Sequence, residues 1–183
     1  MIGAITAGLL SVAGAPAPTS SYESIATVSI GSGGAANATF SSIPSTYKHL
    51  QIRQIAQCAT AATWIAIQFN SDTGTNYTWH ELRGDGASAS AAGGGGLAYI
   101  RIALQDAGSY WSSAVTDILD YQNTNKYKTT RSLHGVDRNG GGVVGLTSGF
   151  WANTAGVSSI TIYPQGGGNF NQYSQFALYG IKG

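Results

Sequence analysis

Short runs of alternating apolar and polar residues, separated by glycine clusters, restrict this 183-residue chain to one class of fold. Such runs occupy residues 24–30, 36–42, 49–57, 63–70, 77–82, 97–104, 115–121, 127–136, 143–150, 158–163 and 175–181. They are rich in β-branched and aromatic residues, and period 2 places one face of each inward. No segment carries a stripe of period 3.6. Glycines gather at 31–34, 93–96, 140–142 and 166–168, where turns and loops between strands are expected. Many short strands with regular turn signals predict an all-β, antiparallel β-sandwich of jelly-roll type. The last run, QFALYGI at 175–181, reads as a core strand with Phe176 and Leu178 inward.

One hairpin can be placed in register from charge alone. Setting Tyr121 opposite Tyr127 brings Asp120 to Lys128, Asp117 to Arg131 and Val115 to Leu133. Cross-strand pairs of this kind are each worth roughly 0.2–1 kcal/mol. Asp117 and Asp120 are separated by an odd number of residues and project from opposite faces. They are expected to form structural ion pairs rather than an acid/base dyad.

Ahead of the strands lies a segment of different character. The first charge in the chain is Glu23, and residues 1–18 are almost wholly Gly, Ala, Pro and small aliphatics. The segment lacks the positive n-region of a secretory signal. It is too short and too rich in Gly and Pro to span a bilayer, so no membrane is expected. Residues 1–22 therefore read as an extended apolar arm, with Ile2, Ile5, Leu9, Leu10 and Val12 as its anchoring side chains, and residues 23–183 as the sandwich domain.

Charged residues make up only 9% of the chain, with a net charge of +1. The basic residues are scattered, which argues against nucleic acid as a partner. The single cysteine, Cys58, excludes an intramolecular disulfide and reads as a small buried hydrophobe. His49, His80 and His134 share no metal-ligand spacing, and neither a phosphate-binding loop nor a nucleophile elbow is present. No catalytic residue, metal or cofactor is expected. Asp72, Asp85, Asp106 and Asp137 lie in turn-like segments, where a loop calcium site would draw its ligands. The four tryptophans, Trp64, Trp79, Trp111 and Trp151, suit core and interface packing, and any that is exposed is a candidate glycan contact.

Several strings mark a resemblance. They are the Gly/Ala leader, SSYESIAT at 20–27, IPSTYKHLQIR at 43–53, IQFNSDTGTNY at 67–77, DILDYQNTNKYKTTRSL at 117–133 and QFALYGIKG at 175–183. With these the chain resembles a family of small virion surface proteins of tailed bacteriophages, including cyanophages and phages of aquatic samples. The family is similar to head decoration or cement, head-fibre and short tail-fibre proteins. The resemblance implies a non-enzymatic structural protein on the outside of the particle. It also implies contact with a capsid or tail protein, and assembly as a homotrimer. It carries over no active-site residue. Capsid decoration is the first expectation. A short tail fibre or receptor-binding module touching host glycans, or a free lectin domain, is the alternative.

Overall fold

The computed structural model describes residues 20–59, 63–105 and 110–183, and among these there are twelve strands and no helix. In chain order they are β1 (Tyr22–Ser29), β2 (Ala38–Phe40), β3 (His49–Ala56), β4 (Thr63–Phe69), β5 (Tyr77–Gly84) and β6 (Ala89–Leu97). Then follow β7 (Ile100–Gln105), β8 (Ser112–Leu119), β9 (Lys128–Asp137), β10 (Gly142–Trp151), β11 (Ile160–Pro164) and β12 (Gln175–Ile181). The arm side chains Ile2, Ile5, Leu9, Leu10 and Val12 lie outside the described residues.

Two antiparallel sheets form a sandwich. The first runs β1-β12-β3-β8-β9-β10-β5-β6, and the second β2-β11-β4-β7. Without β5–β6 and β9–β10, eight strands remain, β1-β12-β3-β8 facing β2-β11-β4-β7, which is the strand order of a jelly roll. The two extra hairpins are inserted between β4 and β7 and between β8 and β11. Both join the first sheet, so eight strands face four.

The jelly-roll half has an apolar core. Leu50 and Ile52 of β3, Phe176 and Leu178 of β12, Ile65, Ile67 and Phe69 of β4, and Ile160 and Ile162 of β11 are fully buried. Phe170 packs on Phe176 with ring centroids 4.7 Å apart. Cys58 is also buried here, and burial pushes its thiol up to about 12.

The inserted half is built differently. Along β9 the buried side chains are Lys128, Thr130, Ser132, His134 and Val136, four of the five polar, whereas Leu133 is exposed. The reason is β7, the edge strand of the second sheet, which has no further strand beside it. The Ser132 hydroxyl donates to the Ile102 carbonyl. The Leu104 amide donates to His134 Nδ1 at 3.4 Å, leaving Nε2 to face the Thr147 hydroxyl at 3.4 Å. Ser132 also pairs with Thr116 at 2.9 Å. Polar side chains of β9, held by hydroxyls of β8 and β10, thus satisfy groups of β7 that a neighbouring strand would otherwise satisfy. The approach is close: a Cβ at Gly149 would lie 2.3 Å from both Ile100 Cγ2 and Thr130 Oγ1, and one at Gly145 would collide with the His134 ring.

Two expectations need correction. Residues 93–96 were expected to form a loop but lie in β6, the outer edge strand, because cross-strand pairing to β5 supplies order that four glycines lack on their own. The β8–β9 ladder follows the charge-based register (Val115 opposite Leu133, Asp117 opposite Arg131), but it ends at Leu119 opposite Thr129. Asp120 turns into the left-handed region (φ 46°), so Tyr121 and Tyr127 are not ladder partners.

Two predictions follow from the packing. Phe176→Ala should lower the unfolding free energy by about 3–5 kcal/mol, measured by urea denaturation, and an unchanged midpoint would remove β12 from the core. Burial, with the nearby Arg83 charge, depresses His134 from 6.5 to about 4. The unfolded chain therefore takes up this proton at higher pH than the folded one does. Stability should be highest above pH 6.5 and fall as pH drops toward about 4. His134→Gln should flatten that window, and an equal slope in both proteins refutes the assignment.

Candidate interaction surfaces

With polar side chains turned inward on the inserted half, aliphatic ones turn outward. Val115 (β8), Leu133 (β9), Leu146 (β10) and Leu82 (β5) are consecutive register partners across four strands. They are 40%, 58%, 49% and 59% exposed. One row along, Ile55, Ser113, Gly135, Val144 and Gly84 are likewise in register, and Ile55 and Val144 are exposed. Gly135 leaves a shallow depression of about 420 Å³ edged by Val115, Leu133 and Val144. Three strand spacings of about 4.8 Å set the backbone width of the Val115–Leu82 row at about 14 Å.

Beside this patch the same outer face is polar and internally satisfied. Arg53 Nε donates to Gln51 Oε1 at 2.9 Å, and Gln51 Nε2 donates to Asp117 Oδ1 at 2.9 Å. Arg131 Nη2 completes the chain by donating to Asp117 Oδ2 at 2.9 Å. The Arg53 guanidinium lies over the rings of Tyr22 and Tyr179, at 5.6 and 5.1 Å.

The second expected ion pair does not form. Asp120, turned out of the ladder, meets Lys126 and Lys48, the latter at 3.1 Å, and its amide donates to His49 Nδ1 at 2.9 Å. Lys128 is instead fully buried. Its Nζ donates to the carbonyls of Asn123, Lys126 and Thr154 at 2.6, 3.0 and 3.0 Å, closing the loop that leads into β9. Burial lowers its pKa. A sequence register pairs whole strands and cannot show that one acid leaves the strand at its end.

The tryptophans divide between roles. Trp151 is 1% exposed, stacks on Tyr77 with centroids 6.1 Å apart and donates Nε1 to Asp72 Oδ2 at 2.8 Å. Trp79 is 5% exposed and stacks on the half-buried Trp64, with the Arg101 guanidinium 4.4 and 4.9 Å from the two rings. Beneath them Glu81 is buried with Arg83 Nε 3.8 Å away, and desolvation raises its pKa. Trp79 and Trp151 are packing residues and not glycan contacts, because they fill the volume between the sheets. Trp111 is the most exposed of the four, at 36%.

Trp111 stands at one end of the sandwich, between two grooves. One, of about 660 Å³, lies between the β5–β6 turn (Asp85, Gly86) and the β9–β10 turn (Asp137 to Gly142). The other, of about 480 Å³, is lined by Gln57, Asn169, Gln172 and Tyr173 among others. Tyr173 is 73% exposed and sits at φ 73°, a conformation costly for an aromatic residue. Among the described residues no three acids, histidines or cysteines converge as metal ligands, and Asp106 lies outside them.

Comparison with protein-family models, with curated proteins and with solved structures returned no match.

Hydrogen bonds from Lys126 and then Lys48 hold Asp120 well below the usual range, at about 2. Its depressed folded pKa means a stabilising contribution that is complete above about pH 3.8 and lost as pH falls toward about 2. Asp120→Asn should therefore be less stable than wild type at neutral pH and converge with it in strong acid. A constant difference across that range would show that the ion cluster contributes nothing.

Proposed function

We propose that this chain is a non-enzymatic structural protein of the outer surface of a bacteriophage particle, most simply a capsid decoration or cement protein. In this reading its apolar arm, residues 1–22, anchors it to a capsid protein. The outer face of the eight-stranded sheet packs against sister copies in a homotrimer.

The observation that carries the reading is the in-register aliphatic row Val115–Leu133–Leu146–Leu82, exposed on a folded domain. A monomer gains nothing from aliphatic side chains aligned over four strands, and such patches characterise protein contact surfaces. The occupant is a sister copy because the row itself is aliphatic and the neighbouring polar chain, with Asp117 taken up by Gln51 and Arg131, carries only the one net positive charge of its two arginines and single carboxylate, too little to recruit a strongly charged partner and suited to a chain of equally low charge. The aliphatic patch supplies an apolar centre and the polar chain its rim. A standard interface buries about 800 Å² on each partner, an area that needs both. The jelly roll is compatible with this role, since the architecture recurs in capsid and lectin domains, although the fold alone does not fix a function. The sequence strings quoted above add the resemblance to virion surface proteins.

Mass photometry on the purified full-length chain should give a trimer, and Leu133→Asp should give a monomer that still unfolds in one cooperative transition, now independent of protein concentration. A wild-type monomer, or an oligomer indifferent to the substitution, would overturn the surface assignment. Deleting residues 1–18 should leave the trimer intact but abolish incorporation into particles, and normal incorporation of that variant counts against the arm as anchor.

A further inference from the structure

The register of the first sheet brings six loops to one end. Ser29, Gln175, Ile55, Ser113, Gly135, Val144 and Gly84 are successive partners across seven strands. The segments just beyond them therefore cluster: 31–34 after β1, 57–59 after β3, 169–173 before β12, Trp111 before β8, and the two turns that follow β5 and β9. Trp111 is in the middle and lines both grooves.

We propose that this loop end binds an oligosaccharide of uncharged sugars, laid across Trp111 with one sugar ring in each groove. Three observations define the ligand chemistry. First, the indole is partly exposed and its Nε1 has no acceptor among the described residues, so it offers an apolar face for the C–H side of a pyranose and a donor for a hydroxyl. Second, the polar groups suit hydroxyls. Asp137 uses Oδ1 to hold its own turn, accepting the Asn139 amide at 2.9 Å, while Oδ2 accepts nothing from the described residues. Asp85 likewise holds its turn through Oδ1, from the Ala87 and Ser88 amides at 2.9 and 2.7 Å. Across Trp111 the side chains of Asn169 and Gln172 supply amides, and Asn171 Nδ2 donates to Gln57 Oε1 at 2.9 Å. Third, neither groove is lined by a lysine or an arginine, and one carries two carboxylates. An acidic sugar or a phosphate would meet these two carboxylates, which outnumber the one cation of the β9–β10 turn, Arg138, whose guanidinium lies toward Gly141.

The second groove also contains Tyr173, which holds its ring in solvent from a left-handed backbone. Its amide donates to the Ile30 carbonyl at 3.0 Å, so the backbone is pinned and the ring projects from a fixed point. An exposed aromatic held at a strained position is a feature that folding does not require. It is well placed to stack on a second sugar. The volumes, about 660 and 480 Å³, are within the range of about 300–1,000 Å³ usual for small-ligand sites. The first groove borders the outer row of the aliphatic face, sharing Ser113, Gly135, Val144 and Gly84 with it, whereas Trp111, Tyr173 and the second groove share none of its residues; Leu133 lines neither groove, so its substitution tests the trimer reading apart from the sugar site.

The test is saturation-transfer NMR on the full-length protein with maltohexaose, chitotetraose and oligogalacturonate as probes, with titration calorimetry as the affinity readout. At least one of the two neutral probes should receive saturation, and oligogalacturonate none. Trp111→Ala should weaken binding by about tenfold or more, and Trp111→Phe should restore part of it. Tyr173→Gly removes the ring at a backbone geometry glycine adopts freely, so it keeps the fold and should weaken binding several-fold. Leu133→Asp should leave binding unchanged. The proposal is overturned if neither neutral probe binds, if oligogalacturonate binds as well as they do, or if binding survives Trp111→Ala at wild-type strength.

Discussion

The seam between β9 and β7 is the contact on which the rest of the structure depends. An eight-stranded sheet faces a four-stranded one, so the second sheet ends at an edge strand lying over the first. Buried backbone groups at that edge need partners. Ser132 and His134 provide them at Ile102 and Leu104; Gly149 lets β7 come close, with Ile100 over it, and Gly145 leaves room for the His134 ring. The requirement reverses the ordinary polarity of the inserted strands. On β9 the hydroxyls of Thr130 and Ser132 and the His134 imidazole turn inward, and Leu133, with Leu146 and Leu82 in register beside it, turns outward.

That reversal explains why a chain with so little charge carries an aliphatic row on its surface. Successive side chains of a strand point to opposite faces. Once β9 commits Thr130, Ser132 and His134 to the seam, Leu133 has only the outside to occupy, and cross-strand pairing aligns Val115, Leu146 and Leu82 with it. The buried polar row and the exposed apolar row are two sides of one register. Disrupting the seam would loosen the face along with the core, which is why the surface is best probed by changing Leu133 rather than His134.

The loop end obeys a different logic. Its side chains are set by turns that satisfy themselves: Asp85 and Asp137 each cap their own turn, and Tyr173 is held through the Ile30 carbonyl. A rigid sandwich with self-sufficient turns can present exposed groups at its rim without depending on them for stability. Trp111 and Tyr173 are placed in this way, whereas Trp79 and Trp151 are part of the core.

Much of the fold was legible in the amino-acid order. Period-2 alternation and glycine punctuation located eleven of the twelve strands, and opposite charges in one ladder located the register of β8 on β9 through Asp117 and Arg131. These are properties of neighbours in sequence or across one turn, and they need no knowledge of what covers a strand. Which face is covered is a different matter. KTTRSLHGVD reads equally well with Leu133 in or out, and only the position of β7 decides it, because Ile102 and Leu104 present backbone groups there that hydroxyls and an imidazole can satisfy and a leucine cannot. The strand at 89–97 was hidden because four glycines have no side-chain pattern, and its order comes from pairing to β5. Likewise nothing in the sequence separates Trp111 from Trp151. The distinction arises when the sheets close over one and leave the other at the rim, between loops that are distant in sequence and adjacent only in the folded chain.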